Sequence, residues 1–378
     1  MKTQIIPVLL LVVAIACSSP KKDMSNTQPV ETTELVNIIV GTYTSKDSKG
    51  IYRVKFNPET GALSDTSLLV ETTDPSYLAQ SSDGEQVYAI NAVGDGDVYA
   101  FEWNEDRSKL IELSHRKSMG DNPCYVALSP EDQSLALANY GSGNVVTYPV
   151  NSDGTIGEAG TARQHEGQGG DMDRQAGPHA HFSQFSSDGK YLYAVDLGTD
   201  QVIYYPMDSG RMGEGKVALQ LDPADGPRHL DFHPSKAFVY VINELNSTIV
   251  AAKVLEDGSF ERIEKVSTLP EGYEGESYCA DIHVSKDGRF LYGSNRGHNS
   301  IAIFSIEEDG KLKMVATESV FGNWPRNFTL SPDNKFLLVA NKKSDNITVF
   351  KRDDKTGMLH FTDQQIQLSQ PVCLVFEK

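Results

Sequence analysis

Short apolar runs alternate with polar turns along nearly the whole chain, and the alternation itself repeats. An Asn or Asp stands ten residues after a Ser or His marker six times, at Asn91, Asn139, Asp196, Asn243, Asn295 and Asn341. An apolar run precedes each of them, and a turn and a second apolar run follow, as in SSDGKYLYAVDLGTDQVIYYPM (186–207) and SKDGRFLYGSNRGHNSIAIFSI (285–306). Self-similarity at a period of roughly 45–57 residues marks a blade-type repeat. Enrichment in Val, Ile, Tyr and Phe, with turns such as Asp-Gly, predicts strands rather than helices, four to a repeat. In the fifth repeat they fall at Cys279–Val284, Phe290–Ser294, Ser300–Ser305 and Lys311–Thr317.

Six such units run from about Pro75 to His360, and the two ends supply a seventh. Asn37–Val40, Gly50–Phe56 and Leu63–Glu71 have the pattern of second, third and fourth strands without a first. Pro371–Phe376 has the pattern of a first strand without a continuation. Pairing them closes a ring and covers edges that would otherwise invite aggregation. The expected fold is all-β: a seven-bladed β-propeller of four-stranded antiparallel blades over 37–378, closed by the C-terminal strand joining three N-terminal strands. Such a ring avoids the limit on the size of a single core, and being sealed it is expected to be a monomer.

The N-terminus breaks the pattern. Lys2 precedes an apolar stretch, Ile5–Ala16, that is too short to span a bilayer and predicts an export signal over 1–16. Ala14-Ile15-Ala16-Cys17 resembles a lipobox, with Ala14 where Leu is commonest, and predicts lipidation at Cys17. A polar, flexible tether then runs to residue 36. The expected location is the envelope of a Gram-negative bacterium, periplasmic or at the outer membrane, with the lipid at Cys17 as the only membrane contact. A net charge of −18 argues against nucleic acid and anionic lipid surfaces as partners. Cys124, Cys279 and Cys373 are odd in number and widely spaced, which predicts buried thiols rather than disulfides or a zinc motif.

Aligning the repeats separates scaffold from chemistry. The Asn/Asp recurs in all six full units, so its expected role is structural, as a turn-former. The next position varies: Ala92, Tyr140, Leu197, Glu244, Arg296 and Lys342. The start of the innermost strand varies too, through DPSYL, NPCYV, GPHAH, GPRHL and WPRNF. These present Ser76, Cys124, His179 with His181, Arg228 with His229, and Arg326, while the fifth unit offers Cys279-Ala280-Asp281. In a propeller such positions line the mouth of the central channel, so charges dispersed in sequence converge in space. The set suits addition of water to an activated carbonyl. An imidazole or carboxylate takes a proton from water, and guanidinium groups stabilise the oxyanion or bind an anionic substituent. Structural ion pairs bridging blades are the competing account. There is no Gly-x-Ser-x-Gly elbow, P-loop, dinucleotide fingerprint or dense metal-ligand set, so neither a cofactor nor a metal is expected. The glycine-rich run Glu166–Asp171 precedes no helical pattern and is expected to form a loop over the channel mouth.

GTYT (41–44), RQAGPHAHF (174–182), GPRHLDFHP (226–234), VINELNSTI (241–249), SNRGHNSIAIF (294–304), GNWPRNFTLSPD (322–333) and the final PVCLVF occur in that order. Together they resemble the propeller lactonase family typified by bacterial 6-phosphogluconolactonase and related to fungal carboxymuconate cyclase. The resemblance implies a catalytic set of His179 or His181, Arg228, Glu244 and Arg296, with Glu244 or a histidine as the base. Arg174, His229, Asp281 and Arg326 are the candidate substrate-binding residues. Asp281 stands in Ala-Asp-Ile-His where the family commonly has Ala-Glu-Ile-His, a carboxylate shorter by one methylene. The implied reaction is metal-independent hydrolysis of a small-molecule lactone, 6-phosphoglucono-1,5-lactone, to 6-phosphogluconate. Alternatives are an exported hydrolase of another sugar or organic-acid lactone, a lyase or cyclase, and a surface-tethered propeller that binds a ligand or protein without catalysis.

Overall fold

The computed structural model describes residues 34–158 and 160–378, together with residues 1, 7–11, 13 and 14; Cys17 and most of the expected tether lie outside the described residues. Among those residues there is no helix, and the strands form seven antiparallel sheets. Blade 1 is made by both termini: Pro371–Phe376 innermost, then Val36–Thr42, Gly50–Phe56 and Leu63–Glu71. Blades 2 to 7 follow in chain order, with innermost strands Pro75–Gln80, Pro123–Leu128, Ala180–Phe185, Pro227–Phe232, Tyr278–Val284 and Pro325–Leu330. Blade 4 adds a short strand, Arg211–Met212, to the end of its third strand.

Local chemistry accounts for the repeat. The marker serine closes the turn between first and second strands: Ser81 Oγ accepts the Gln86 N–H at 2.9 Å and donates to Asp83 Oδ1 at 2.6 Å. Ser186, Ser285 and Ser331 do the same with Tyr191, Phe290 and Phe336. His233 substitutes for serine because its Nδ1 accepts the N–H groups of Ser235 and Lys236. The Asn/Asp ten residues on is structural as expected, but its reach differs from that of a turn-former. Asn139 Nδ2 donates to Ser118 O and Asn295 Nδ2 to Thr268 O, both at 3.0 Å, and Asn91 Nδ2 to Thr73 O. Those carbonyls belong to the linker arriving from the previous blade. Asp196 behaves as a turn-former, accepting the Gly198 N–H at 2.9 Å.

The apolar core is partitioned rather than central. Seven buried clusters each draw their residues from two adjacent blades, and together they go all the way round the ring. Four of these interfaces carry the same latch. Tyr88, Tyr193, Tyr240 and Tyr292 each send the hydroxyl to a glycine carbonyl in the outer hairpin of the following blade, at Gly154, Gly258, Gly310 and Gly357.

Closure occurs where the sequence predicts it. Pro371–Phe376 pairs antiparallel with Val36–Thr42, placing Ile39 opposite Val375 and Gly41 opposite Cys373. A Cβ at Gly41 would sit 2.4 Å from the Pro75 carbonyl, so the approach of blade 1 to blade 2 requires glycine there. Cys124, Cys279 and Cys373 are buried free thiols.

Candidate active site at the channel mouth

The two variable positions picked out by the repeats are neighbours in space. The residue after the marker Asn donates its N–H to the residue just before the innermost strand: Ala92 to Asp74, Tyr140 to Asn122 and Lys342 to Trp324 at 3.0 Å, and Glu244 to Gly226 at 2.7 Å. Each blade thereby presents both positions at the same end of the ring. Several of these residues line a cavity of about 330 Å³, among them Tyr140, His181, Glu244, Arg296 and Arg326, with Tyr43 and Arg174 completing the charged and aromatic wall.

Glu244 is the hub. Its Oε1 lies 2.9 Å from Arg174 Nη2, and its Oε2 lies 2.7 Å from Arg296 Nη2 and 3.1 Å from Arg228 Nε. Burial alone would raise its pKa, but Arg296, Arg228 and Arg174 overcome that and hold it at about 2. Three guanidinium groups against one carboxylate leave a net positive site in an acidic protein. Arg174 comes from the loop that follows the glycine-rich run, and its Nη2 also lies 3.4 Å from the Tyr140 hydroxyl. Gln175 braces that loop by donating to Leu197 O and Asp200 Oδ1, both at 2.7 Å. Arg296 is oriented by Tyr278 O at 3.2 Å and Cys279 O at 2.8 Å.

The two histidines of the PHAH motif part company. His181 lines the cavity, and burial, then Arg228, His229 and Arg326, push its pKa well below the usual imidazole value, so it is neutral. Its Nδ1 is buried without a hydrogen-bond partner among the described residues. His179 instead braces the wall, with Nδ1 2.8 Å from Tyr140 O and its ring stacked on the Tyr140 ring at 4.5 Å.

Arg228, His229 and Asp281 lie beneath the cavity rather than on it. Arg228, only 2% exposed, donates from Nη1 to Ala280 O and toward His229 Nε2 at 3.1 Å. Burial, with Arg326 and Arg296 nearby, lowers its pKa to about 9, still charged at neutral pH. His229 Nδ1 lies 2.9 Å from Asp281 Oδ1, and Asp281 Oδ2 accepts from Asn327 Nδ2 at 2.6 Å and meets His283 Nε2 at 3.2 Å. A buried polar column therefore descends the channel from Glu244.

Sequence reasoning did not single out Tyr43, Tyr140, Trp324 or Lys342 as site residues. The signal was present, since Tyr140 and Lys342 occupy the repeat position of Glu244 and Tyr43 lies in GTYT. Aromatic side chains in a β-rich chain are usually core, which masks them.

A seven-bladed ring with this cluster at one end of its channel defines a lactonase-type propeller. The family model described as Lactonase, 7-bladed beta-propeller matches residues 37–376, and the chain belongs to that family. It is accordingly an enzyme of the lactone-hydrolysing, carboxylic ester hydrolase class. It is 36% identical over 340 residues to the 6-phosphogluconolactonase of Bacillus subtilis, spanning 89% of this chain and 97% of that protein. The structure of the Pseudomonas aeruginosa periplasmic gluconolactonase superposes with a TM-score of 0.85 at 30% identity, covering 91% of this chain and 99% of that one. A protein from Lactobacillus plantarum superposes with a TM-score of 0.85 at 32% identity, covering 91% and 100%.

Proposed function

We propose that the chain hydrolyses a sugar lactone at the channel mouth without a metal, with 6-phosphoglucono-1,5-lactone as the leading substrate. The observation that carries this is one cavity holding a neutral imidazole beside an arginine cluster of net positive charge. His181 takes a proton from water as the water oxygen attacks the lactone carbonyl carbon. Arg296 and Arg174 stabilise the negative charge that develops on the carbonyl oxygen. The bond from that carbon to the ring oxygen then breaks, and the ring oxygen receives the proton from His181. Glu244 is not the base in this scheme, because Arg174, Arg296 and Arg228 already occupy its oxygens. It anchors the arginines, and Arg228 anchors it from below.

Replacing His181 with Asn or Arg296 with Ala is expected to lower kcat/KM by about 100-fold or more. Following acid release above the spontaneous rate checks this. Turnover unchanged in both variants would remove the site.

A second substrate reading is favoured by the N-terminus. On this reading the chain is exported and held in the envelope by a lipid on Cys17, and the reading is supported by the Pseudomonas aeruginosa neighbour at 30% identity, which is named a periplasmic gluconolactonase. An unphosphorylated lactone would suit that compartment. Incorporation of labelled palmitate by the wild-type chain, abolished in Cys17→Ser, tests the lipid anchor.

A further inference from the structure

We propose that Asp200 is a positioning residue of the hydrolytic site: it holds Arg174 against Glu244 by tying the loop of the one to the turn of the other. This rests on the lactone-hydrolase reading, in which Arg174 stabilises the developing negative charge.

Arg174 is the exception in its cluster. Arg228 and Arg296 stand on strands, and their side chains are 2% and 6% exposed. Arg174 is carried by residues 165–179, the longest connection between blades, and its side chain is 36% exposed. Its place over the cavity is therefore set by whatever fixes that loop. Asp200 is buried and takes four N–H groups on its two oxygens. Oδ1 accepts from Gln175 Nε2 at 2.7 Å and from the Gly226 N–H at 2.8 Å. Oδ2 accepts from the Ala224 N–H at 2.9 Å and the Gly170 N–H at 3.3 Å. Gln175 and Gly170 belong to the loop, whereas Ala224 and Gly226 belong to the turn that leads into blade 5. A Cβ at Gly170 would lie 2.7 Å from the Ala224 nitrogen, so the loop sits directly on that turn.

Both halves of the ion pair hang from this contact. Gln175 follows Arg174 directly and is fully buried, and its Oε1 accepts the Asp171 N–H at 2.8 Å, which keeps the loop folded on itself. On the other side the Gly226 carbonyl accepts the Glu244 N–H at 2.7 Å. One carboxylate thus fixes both partners of the 2.9 Å contact between Arg174 and Glu244.

The repeats separate this task from the scaffold. The residue four after the marker Asn/Asp has left-handed φ in every full unit: Asp95 (50°), Gly143 (66°), Asp200 (55°), Ser247 (53°), Asn299 (57°) and Asp345 (55°). Asn299 Oδ1 accepts the Trp324 N–H at 2.8 Å, and Asp345 Oδ1 accepts that of Gln370 at 2.9 Å. Trp324 and Gln370 stand just before the next innermost strand, themselves at φ of 69° and 48°. The bond from Gly226 to Asp200 is the blade 4 copy of that scaffold contact. The bonds from Gln175 and Gly170 go beyond it, and they are the ones that reach the site.

Asp200→Asn sets an amide NH2 against groups that are all donors. It is expected to lower kcat about tenfold or more with KM changed less than about twofold, because Arg174 acts on the transition state. Gln175→Ala, which keeps the bonds from Ala224 and Gly226, is expected to do the same, and it carries the test alone if Asp200→Asn does not fold. In an Arg174→Ala chain neither change should lower kcat more than about twofold further. Limited trypsin digestion reads the loop without any substrate: cleavage after Arg174 is expected to be at least about tenfold faster in both variants than in the wild type. Unchanged kcat in both variants, or losses that multiply in full with that of Arg174→Ala, overturns the proposal. A wild-type chain that accelerates no lactone removes the hydrolase reading, and the trypsin comparison then decides by itself whether Asp200 holds the loop.

Discussion

Glu244 shows how a single residue acquires a role from its surroundings. In sequence it was notable for being a carboxylate where Ala92 or Leu197 stands in other repeats. In the structure its two oxygens are divided among three guanidinium groups. Replacing it with Ala leaves the buried Arg228 and Arg296 without a counter-charge, a change that costs about 3–5 kcal/mol. Thermal denaturation should show that loss together with the loss of activity. Trp324→Asn should behave in the opposite way at the level of stability. Asn relieves a backbone strain of order 1 kcal/mol, so the melting temperature is expected to hold or rise. A lower melting temperature would mean that the indole is needed for packing. The convergence of Glu244, Arg296 and Arg326 was legible because the repeat fixes where such positions point. The division between His181 on the cavity and His179 behind Tyr140 was not, since His179 lies just before the strand Ala180–Phe185 while His181 sits at a bulge inside it. Nor was the burial of Arg228 and His229 below the cavity, since the same bulge after the innermost proline leaves Arg326 on the cavity wall in blade 7.

At the scale of elements, strands were legible almost to their ends. In blade 6 the expected Ser300–Ser305 is observed as Ser300–Ile306, and Phe290–Ser294 runs on to Arg296. What alternation could not show is how neighbouring blades are fastened. The recurrent Asn holds the incoming linker, and the recurrent Tyr crosses to the next outer hairpin. Tyr240→Phe removes one such latch, leaves the Gly310 carbonyl short of a donor, and is expected to cost about 1 kcal/mol by denaturant titration. The closing strand bears far more. Val372, Cys373 and Leu374 are each no more than 4% exposed. Losing those side chains alone forfeits about 5 kcal/mol, comparable with the whole stability of an ordinary domain. Truncation after Ser369 should therefore give an insoluble or protease-sensitive chain, and a soluble, cooperatively melting product would contradict the closure argument.

For the whole molecule, the polar column in the channel couples stability to pH. His283 loses some proton affinity to burial but gains more from Asp281 and Asp231, which raise its pKa from 6.5 to about 9. A group whose folded pKa is raised stabilises fully below its unfolded value and loses that contribution as pH climbs through the folded one. The melting temperature should therefore decline between pH 6.5 and 9, and His283→Gln should flatten that decline. Glu244 has the opposite sign: its contribution is present above about 4.5 and fades only as pH falls through about 2.

Blade 1 takes its innermost strand from the last residues of the chain. The circle therefore cannot seal before Pro371–Phe376 has been made. Until Pro371–Phe376 emerges, the nascent chain is an arc with two open flanks, obliged to wait for its own end. The pairing of Val36–Thr42 with Pro371–Phe376, which spans the greatest separation along the chain, is thus the last contact that can form.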